Sequence, residues 1–425
     1  MTLTLITGDI ALRRRRTLPN TLGVIKKHLE RLDPLRWFKQ VRDRRKPTNR
    51  YWHFGYLMEV VFAGMLSGCK TLRAVETFSE IYAQRVPDTT LHDVLVGLDG
   101  EPLRAVLVRE VKEALRAHEL PKEAFPVRLT AIDGKSVSVS RQKVGEWSDP
   151  IGGGGAGSYR HMALRALHVS NDTKLFLGQR EIPSKSAETT EFRSFLDQLL
   201  ADYGKTGLLE VISTDAGMVS KENADYIVDR GLHYIMALKG PQQMLFEAAH
   251  RWMQTGPRPV NVTTESGNGK EITRALYRLP LKGLYTWEHV HEIWHVTQTT
   301  IELKTGETTL EERFFLTSLP PRTLTNAQVL HAVRMHWGVE NNGFWTLDCA
   351  WFEDDAPWTH HALLFVSLLR LLAYNAVSRL LTRRLRQAKT RALSWQGILT
   401  LLEHACCQLR QHWLAKHKAA PVTSA

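Results

Sequence analysis

The order of the secondary-structure signals between residues 127 and 238 constrains the fold of this chain more than any other feature. β-rich runs come first with no helix between them, and only afterwards do strands alternate with amphipathic helices. Strands joined by turns pair antiparallel, whereas strands joined through helices add to a sheet in parallel. We therefore expect an α/β fold with a mixed sheet and helices on its faces. The predicted strands cover 127–133 with a continuation at 136–139, 163–170, 174–182, 208–214 and 233–238, and the predicted helices cover 186–203 and 220–230.

A sheet of this kind is ribonuclease-H-like, and the rest of the 425-residue chain is expected to surround it. Residues 20–118 carry apolar side chains at helical spacing, and helical patterns return at 326–347 and 359–387. Dense aromatic and strand-like runs predict a β-rich insertion at about 245–320. We expect three regions: a helical, basic N-terminal domain (1–120), the ribonuclease-H-like domain (121–375) and a basic helical C-terminal region (376–425).

The charge of the chain is concentrated at its two ends. The formal net charge is +12, and residues 1–50 hold 14 basic and 4 acidic residues, while residues 376–425 hold 9 and 1. The ends thus carry +10 and +8, which leaves −6 between them. This distribution favours a protein whose basic ends bind a polyanion such as DNA and whose central region performs chemistry with carboxylates. The alternative interpretation of the basic ends is that they are solvated tails. The N-terminal domain is the expected DNA-binding domain, and 121–375 the expected catalytic domain.

Two aspartates are the first candidates for chemistry. Asp133 follows the first predicted strand and Asp215 follows the strand at 208–214. These strands are neighbours in the predicted sheet, so the two carboxylates are expected side by side, which is unfavourable unless a cation joins them. Ligation by carboxylates alone indicates a hard ion, Mg²⁺ or Mn²⁺. Either Asp by itself also fits a turn or a helix cap, but the pair at neighbouring strand ends favours a metal site.

A third carboxylate is expected from the helix predicted over 326–347. Glu340 is the strongest candidate, because it shares a helix face with His336 four residues earlier and is followed by apolar side chains that can anchor it. Asp348 and the acids at 353–355 compete with it. A solvated Glu on a surface helix is the alternative for Glu340.

Other patterns carry less weight. Residues 291–295 match the HExxH pattern of zinc proteases, but that pattern works only on a helix, and this segment lies among strand-like runs. The longest apolar run of the helix at 362–381 has eight residues, against about 20 for a bilayer span. Four cysteines without CxxC spacing exclude a disulfide scaffold and favour a cytoplasmic protein with reduced thiols.

Several segments resemble insertion-sequence transposases of the ISAs type, the family of the H-repeat-associated proteins, which has an aspartate–aspartate–glutamate (DDE) active site. The resemblance covers about residues 30–375. Where related elements have an Arg before the catalytic Glu and a Lys after it, this chain has His336 and Leu347, and Phe344 replaces a His of the family. The matching segments include AIDGKSVSVS from Ala131, LGQREIPSKSAETTEF from Leu177, VISTDAG from Val211 and RMHWGVENNGFWTLDCAWFEDD from Arg334.

The resemblance implies that Asp133, Asp215 and Glu340 are the catalytic triad and the ligands of Mg²⁺, with Mn²⁺ able to substitute. It implies metal-dependent cleavage at the ends of an insertion sequence and strand transfer into target DNA, by a homodimer in the DNA complex that associates with the bacterial nucleoid. A catalytically inactive, domesticated DNA-binding protein and a metal-dependent nuclease without strand transfer are the alternatives. The candidate DNA contacts are Lys135 and Lys239, which lie just beyond strand ends and otherwise are plain surface lysines, and Arg334, His336, Trp337 and Asn341 around Glu340.

Overall fold

The centre of the protein, seen in a computed structural model, is a mixed β-sheet. In the described part of the chain its strands are β1 (Leu129–Ser140), β2 (Asp149–Pro150), β3 (Tyr159–His168), β4 (Leu175–Ile182), β5 (Val211–Thr214), β6 (His233–Leu238), β7 (Asn261–Gly267), β8 (Lys270–Pro280), β9 (Glu292–Glu302) and β10 (Thr308–Thr317). Their order across the sheet is β2-β3-β1-β5-β6-β10-β9-β8-β7, and β4 also pairs with β3. The structure describes residues 21–32, 34–140, 143, 148–151, 158–239, 243–281, 287–354, 360–386 and 393–417.

The pairing of the first strands confirms the expected fold class. β1 pairs antiparallel with β3, and β3 with β4, whereas β1, β5 and β6 run parallel. In the chain, α7 (Glu188–Tyr203) separates β4 from β5, and α8 (Lys221–Val228) separates β5 from β6. A turn-connected meander followed by helix-connected parallel strands is the ribonuclease-H-like arrangement.

β1 is longer than the sequence predicts. The runs predicted at 127–133 and 136–139 form a single strand, because β3 pairs with β1 on both sides of Gly134 and keeps it extended. A register shift between Ser136 and Ser138 marks a β-bulge. Asp133 therefore lies within β1 and not at its end.

The β-rich segment extends the same sheet. β10 pairs antiparallel with β6, and β9, β8 and β7 follow outward. The HExxH segment lies mostly in β9, where His295 is buried and stacks on Phe314 with ring centroids 4.2 Å apart. Its strand conformation confirms that the zinc-protease pattern is a coincidence, since two His four residues apart on a strand cannot share one ion.

Helices cover both faces of the sheet. Alternate residues of β1 belong to two apolar cores: Ala131 packs with the N- and C-terminal helices, and Ile132 with α7 and α8. The alternation follows from the period of two in a strand. The remaining helices of the described chain are α1 (21–32), α2 (Pro34–Phe38), α3 (Phe54–Leu66), α4 (Leu72–Tyr82), α5 (Asp88–Val96), α6 (Glu101–Arg116), α9 (Gln243–Gln254), α10 (Asn326–His336), α11 (Trp345–Trp351), α12 (His360–Arg379) and α13 (Trp395–His417).

The segment Ala362–Leu385, which comprises most of α12, is long and apolar enough to cross a membrane by length and composition. Within this structure, however, it is a core helix: 89% of its most apolar 18-residue window is buried inside the protein. Its neighbours include α3, α5, α6 and β4. Its apolar character therefore follows from its central position among the helices.

A buried ion network joins the sheet to the C-terminal helices. Arg165 of β3 donates two hydrogen bonds to the Glu353 carboxylate, at 2.6 and 2.8 Å, and both side chains are fully buried. Arg370 of α12 lies 3.5 Å from the same carboxylate, and Gln179 and Ser367 complete the network. Burial of three charges is tolerated only because each has partners, so loss of one member leaves the others uncompensated.

We expect Glu353→Gln to lower the free energy of unfolding by about 3–5 kcal/mol, because Arg165 and Arg370 then share a buried site without a carboxylate. Urea unfolding followed by circular dichroism measures this. The matched control is Glu191→Gln, which removes a carboxylate from a partly exposed pair with Arg180 and should cost at most about 1 kcal/mol. Equal losses in the two variants would contradict the importance of the buried network.

Candidate active site

Asp133 and Asp215 lie side by side because of the pairing of β1 with β5. The last pair in the parallel register is Ile132 with Thr214, so each aspartate is the next residue of its chain segment. Since side chains alternate along a strand, both aspartates project to the face of the sheet opposite Ile132. Asp133 Oδ1 accepts a hydrogen bond from its neighbouring Gly134 amide at 2.7 Å, and Asp215 Oδ1 from the amide of Gly217 at 2.9 Å.

Glu340 lies on a short π-helix, Val339–Phe344, which follows α10. Single π-turns are frequent at functional sites. Phe344 at the end of this turn stacks on Phe176 of β4, with ring centroids 6.4 Å apart, and holds the turn on the sheet. Gly343 permits the contact, because a Cβ atom there would lie 3.0 Å from the Phe176 ring. The Glu340 side chain itself is exposed.

The segment 326–347 is helical, as predicted, but it consists of α10, the π-turn and the start of α11 and not of one regular α-helix; the prediction that His336 and Glu340 share one face is wrong. α10 ends at His336, and the π-turn that follows changes the angular spacing of the side chains. His336 consequently points inward: its Nδ1 lies 3.0 Å from Ser213 Oγ, and burial lowers its pKa to about 4. This buried, neutral position does not fit the predicted contact of His336 with DNA.

The three acids that the sequence singled out form one electrostatic cluster. Burial, and after it the charges of Asp215 and Glu340, raise the pKa of Asp133 well above its ordinary value. Neighbouring carboxylates that raise the pKa of a buried acid in this way indicate a site that lacks a compensating positive charge. The structure thus brings Asp133, Asp215 and Glu340 together from β1, the end of β5 and the π-turn.

A fourth carboxylate, Glu188, joins this cluster and was missed from the sequence. It is the first residue of α7 and is 5% exposed. A Cβ atom at Gly134 would lie 1.9 Å from Glu188 Oε1, so the carboxylate lies against the β1 backbone beside Asp133. Burial, and then Asp215, raise the pKa of Glu188 to about 7. The glycine directly after Asp133 was the signal that could have revealed it.

The competing acids are engaged elsewhere. Lys135 Nζ lies 2.5 and 2.6 Å from the Asp348 carboxylate oxygens and 5.8 Å from the centroid of the Phe344 ring. Glu353 belongs to the buried ion network with Arg165. Because the Lys135 ammonium is largely buried and already paired, it is not presented to a phosphate in this structure.

The remaining predicted DNA contacts are near the surface. Arg334, Trp337 and Asn341 line a cleft of about 330 Å³ together with Glu340, between α10 and strands of the β-rich segment. The Arg313 guanidinium stacks over the Trp337 ring at 4.1 Å from its centroid. Arg334 forms a 2.5 Å ion pair with Glu265 of β7. Lys239 is exposed directly after β6, at the carboxyl ends of the parallel strands, and is separate from this cleft.

The donor set fits a hard divalent cation. The cluster offers only carboxylate oxygens, the ligands that Mg²⁺ and Mn²⁺ prefer, and its mutual repulsion would be relieved by a bound cation. Within the described residues, no three His, Cys, Asp or Glu side chains are grouped closely enough to hold one ion as they stand.

Comparison with known proteins identifies the protein family to which this chain belongs. The Transposase DDE domain family model matches residues 125–376, more than half of the chain, and the chain belongs to this family. Enzymes of this family move DNA segments and generally use divalent metal ions. The expected relationship to the H-repeat-associated transposases is confirmed.

Two relatives share about a quarter of the aligned residues with this chain. It is 24% identical over 308 residues to an uncharacterized protein of the dhlA 3′ region of Xanthobacter autotrophicus, covering 67% of this chain and 94% of that one. It is 26% identical over 238 residues to the H repeat-associated putative transposase YhhI of Escherichia coli (strain K12), covering 53% and 57%. A similar structure is the piggyBac transposase synaptic complex with hairpin DNA (cryo-EM), with 11% identity, a TM-score of 0.46 and coverage of 96% and 83%.

We expect Gly134→Ala to destabilise the protein, because its Cβ overlaps the Glu188 carboxylate at 1.9 Å. Overpacking of this kind costs about 1–3 kcal/mol. A double-mutant cycle with Glu188→Ala, measured by thermal unfolding, tests the cause: the truncated side chain should restore most of the loss. Additive effects would mean that Gly134 is needed for another reason. Gly267→Ala, at an open strand position without positive φ, is the control for loss of a glycine as such.

Proposed function

We propose that this protein cleaves DNA at the ends of an insertion sequence and transfers the freed 3′ end into target DNA. The single observation that carries the proposal is the cluster of Asp133, Asp215 and Glu340, in which burial and then the like charges of Asp215 and Glu340 raise the pKa of Asp133, in a site that offers carboxylate oxygens as donors. Membership of the DDE transposase family supports the same reaction class.

In this mechanism Asp133, Asp215 and Glu340 would hold Mg²⁺, or Mn²⁺ in its place. A bound divalent cation would supply Lewis-acid polarisation and charge neutralisation at the scissile phosphate. The two aspartates are held by the pairing of β1 with β5 and by the amide hydrogen bonds of Gly134 and Gly217, and Glu340 is held on the π-turn. A water molecule first attacks the phosphate at the element end and displaces the 3′-oxygen, which leaves as a free 3′-hydroxyl. This hydroxyl later attacks a target phosphate and displaces the 3′-oxygen of the target strand, so that one P–O bond forms and one breaks in each step.

The surface side chains around the cluster would position the DNA. Lys239 and Arg334 offer cationic groups for phosphate oxygens, while Trp337 and Asn341 offer a ring face and an amide beside Glu340. Lys135 would act indirectly, since its pairing with Asp348 fixes α11 next to β1. We propose that this set, with His336 excluded by its burial, forms the DNA-contacting part of the site.

The role that we propose for each region of the chain follows from the distribution of charge. We propose that 1–120 contacts DNA, that 121–375 with its β-rich insertion performs catalysis and that 376–425 adds further phosphate contacts. The +10 and +8 charges of the two ends support this. The protein would act as a homodimer in the DNA complex, on the nucleoid in the bacterial cytoplasm.

We expect Asp133→Asn, Asp215→Asn and Glu340→Gln each to lower cleavage and strand transfer by about a thousandfold or more, about 4 kcal/mol, with binding to element ends retained. The assay uses labelled terminal-repeat DNA, plasmid target and Mg²⁺, and scores nicking and joining separately. Glu191→Gln is the matched carboxylate control. Near wild-type cleavage by any triad variant would contradict the assignment. Cleavage without joining in the wild type would indicate a nuclease, and binding without cleavage a domesticated protein.

We expect removal of residues 1–20 to weaken DNA binding and to reduce its salt dependence by about one unit of logarithmic slope for each lost phosphate contact. This deletion removes Arg13–Arg16 but retains Ile25 and Leu29, which are buried in the helical core. Filter binding between 50 and 200 mM salt, the window over which such contacts change affinity strongly, measures the slope. Removal of 418–425, which takes away a single Lys, is the control. An unchanged slope after the first deletion would refute the phosphate contacts.

A further inference from the structure

Glu188 is a buried acid that the proposed triad leaves unexplained. It is 5% exposed, and among the described residues no side chain forms an ion pair or hydrogen bond with its carboxylate. Glu is almost never fully buried unless it is paired. The adjacent acid of the same helix turn, Glu191, has its partner in Arg180 at 3.0 Å. The position of Glu188 therefore requires a reason beyond the folding of α7.

The fold makes room for this carboxylate at two glycines. A Cβ at Gly134 would lie 1.9 Å from Oε1 of Glu188, and a Cβ at Gly217 would lie 3.3 Å from Oε2. Gly134 follows Asp133, and Gly217 comes two residues after Asp215, so the carboxylate lies between the segments that carry the two aspartates. Thr189 Oγ donates a 2.6 Å hydrogen bond to the Gly217 carbonyl and fixes the start of α7 on this turn.

The cations of the chain near this point do not neutralise Glu188. Arg160 is held by Asp149 at 2.8 Å, and Lys135 is held by Asp348. Lys185 and Arg160 influence Glu188 from beyond ion-pair distance, and both act more weakly than burial and Asp215. Among the described residues no cation therefore pairs with the Glu188 carboxylate, and a metal ion that pairs with it would be supplied from solution.

We propose that Glu188 is a fourth carboxylate ligand of the divalent-cation centre and reaches it past the β1 backbone at Gly134, from the side of α7. This inference rests on the proposed function, because it assumes that Asp133 and Asp215 bind the cation. It assigns to the start of α7 a direct role in holding the ion, beyond the three acids from β1, the end of β5 and the π-turn.

The test measures binding of Mn²⁺ alone to the full chain, by calorimetry after EDTA treatment, with no DNA present. We expect Glu188→Gln to raise the Kd for Mn²⁺ by about tenfold or more, the scale found when the surroundings of a metal site are disturbed. Glu191→Gln, which changes the same helix turn and keeps the site intact, should leave the Kd within about twofold of wild type. In EDTA, Glu188→Gln should not lower Tm, because it removes a like charge from the cluster.

Asp133→Asn separates failure of this inference from failure of the proposed function. If Asp133→Asn weakens Mn²⁺ binding and Glu188→Gln does not, the centre exists and Glu188 is not its ligand. If neither variant changes the Kd, the metal centre itself is refuted. A lower Tm of Glu188→Gln in EDTA with unchanged Mn²⁺ affinity would assign Glu188 a structural role and overturn the proposal.

A second measurement uses the wild-type chain and so does not depend on the folding of a variant. Fe²⁺ placed in the site, with hydrogen peroxide and ascorbate added, generates hydroxyl radicals that cut the nearby backbone: each Fe²⁺ reduces one peroxide to hydroxide and a hydroxyl radical, and ascorbate reduces the Fe³⁺ formed back to Fe²⁺. We expect cuts near residues 133, 215 and 188. Cuts at the first two positions without a cut near 188 would contradict the proposal.

Discussion

The buried contact between Arg165 and Glu353 is the interaction on which the geometry of the site depends. Arg165 is the cross-strand partner of Asp133, so the same pair of strands carries both the candidate cation ligand and the anchor of the C-terminal helices. Glu353 follows α11, and Arg370 approaches it from α12. The segment between α10 and α12, which includes Glu340, is thus fixed to the sheet at its far end by a network that tolerates no missing member. A hydrophobic replacement could supply equal stability but not the same directional constraint.

The acids of the candidate site, in contrast to those of the buried ion network, lie near one another without arginines that neutralise them. The acids of the ion network are neutralised by arginines, whereas Asp133 and Glu188 have raised pKa values because burial and neighbouring acids disfavour their charge. In the protein without a cation, these groups bind protons that the unfolded chain has released at the same pH. Their contribution to stability is therefore complete below their unfolded pKa values and is lost as the pH rises through the folded values, about 7 for Glu188. A bound cation would remove this dependence, which links the stability of the site to its occupancy.

The sequence predicted those features that depend on local periodicity and on connectivity. The meander followed by helix-linked strands led to the correct sheet and to the correct neighbourhood of Asp133 and Asp215, because strand order follows from how strands are joined. It did not predict the π-turn, which depends on packing of Phe344 against β4 and changed the positions of His336 and Glu340. Glu188 was missed because an acid at the start of a helix has an ordinary explanation in the helix dipole. Its contact with Gly134 spans strands and helices that no local pattern relates. The sequence also has a Gly-rich segment at 145–158, which predicts a loop; it lies largely outside the described residues.

The contacts of Glu340, Asp348 and Glu353 show which of these three acids is available to bind a cation. Glu353 is fully buried, and its charge is neutralised by its ion pairs with Arg165 and Arg370. Asp348 binds Lys135, which is on the same face of β1 as Asp133 two residues earlier, and this pairing holds α11 against the strand. Glu340 is exposed, lines the cleft with Trp337 and acts electrostatically on Asp133. A carboxylate that binds the cation must lie close to Asp133 and Asp215 and must not form an ion pair with a Lys or Arg of the chain. Among these three acids Glu340 meets both conditions, and from the opposite side of the strand Glu188 meets them as well.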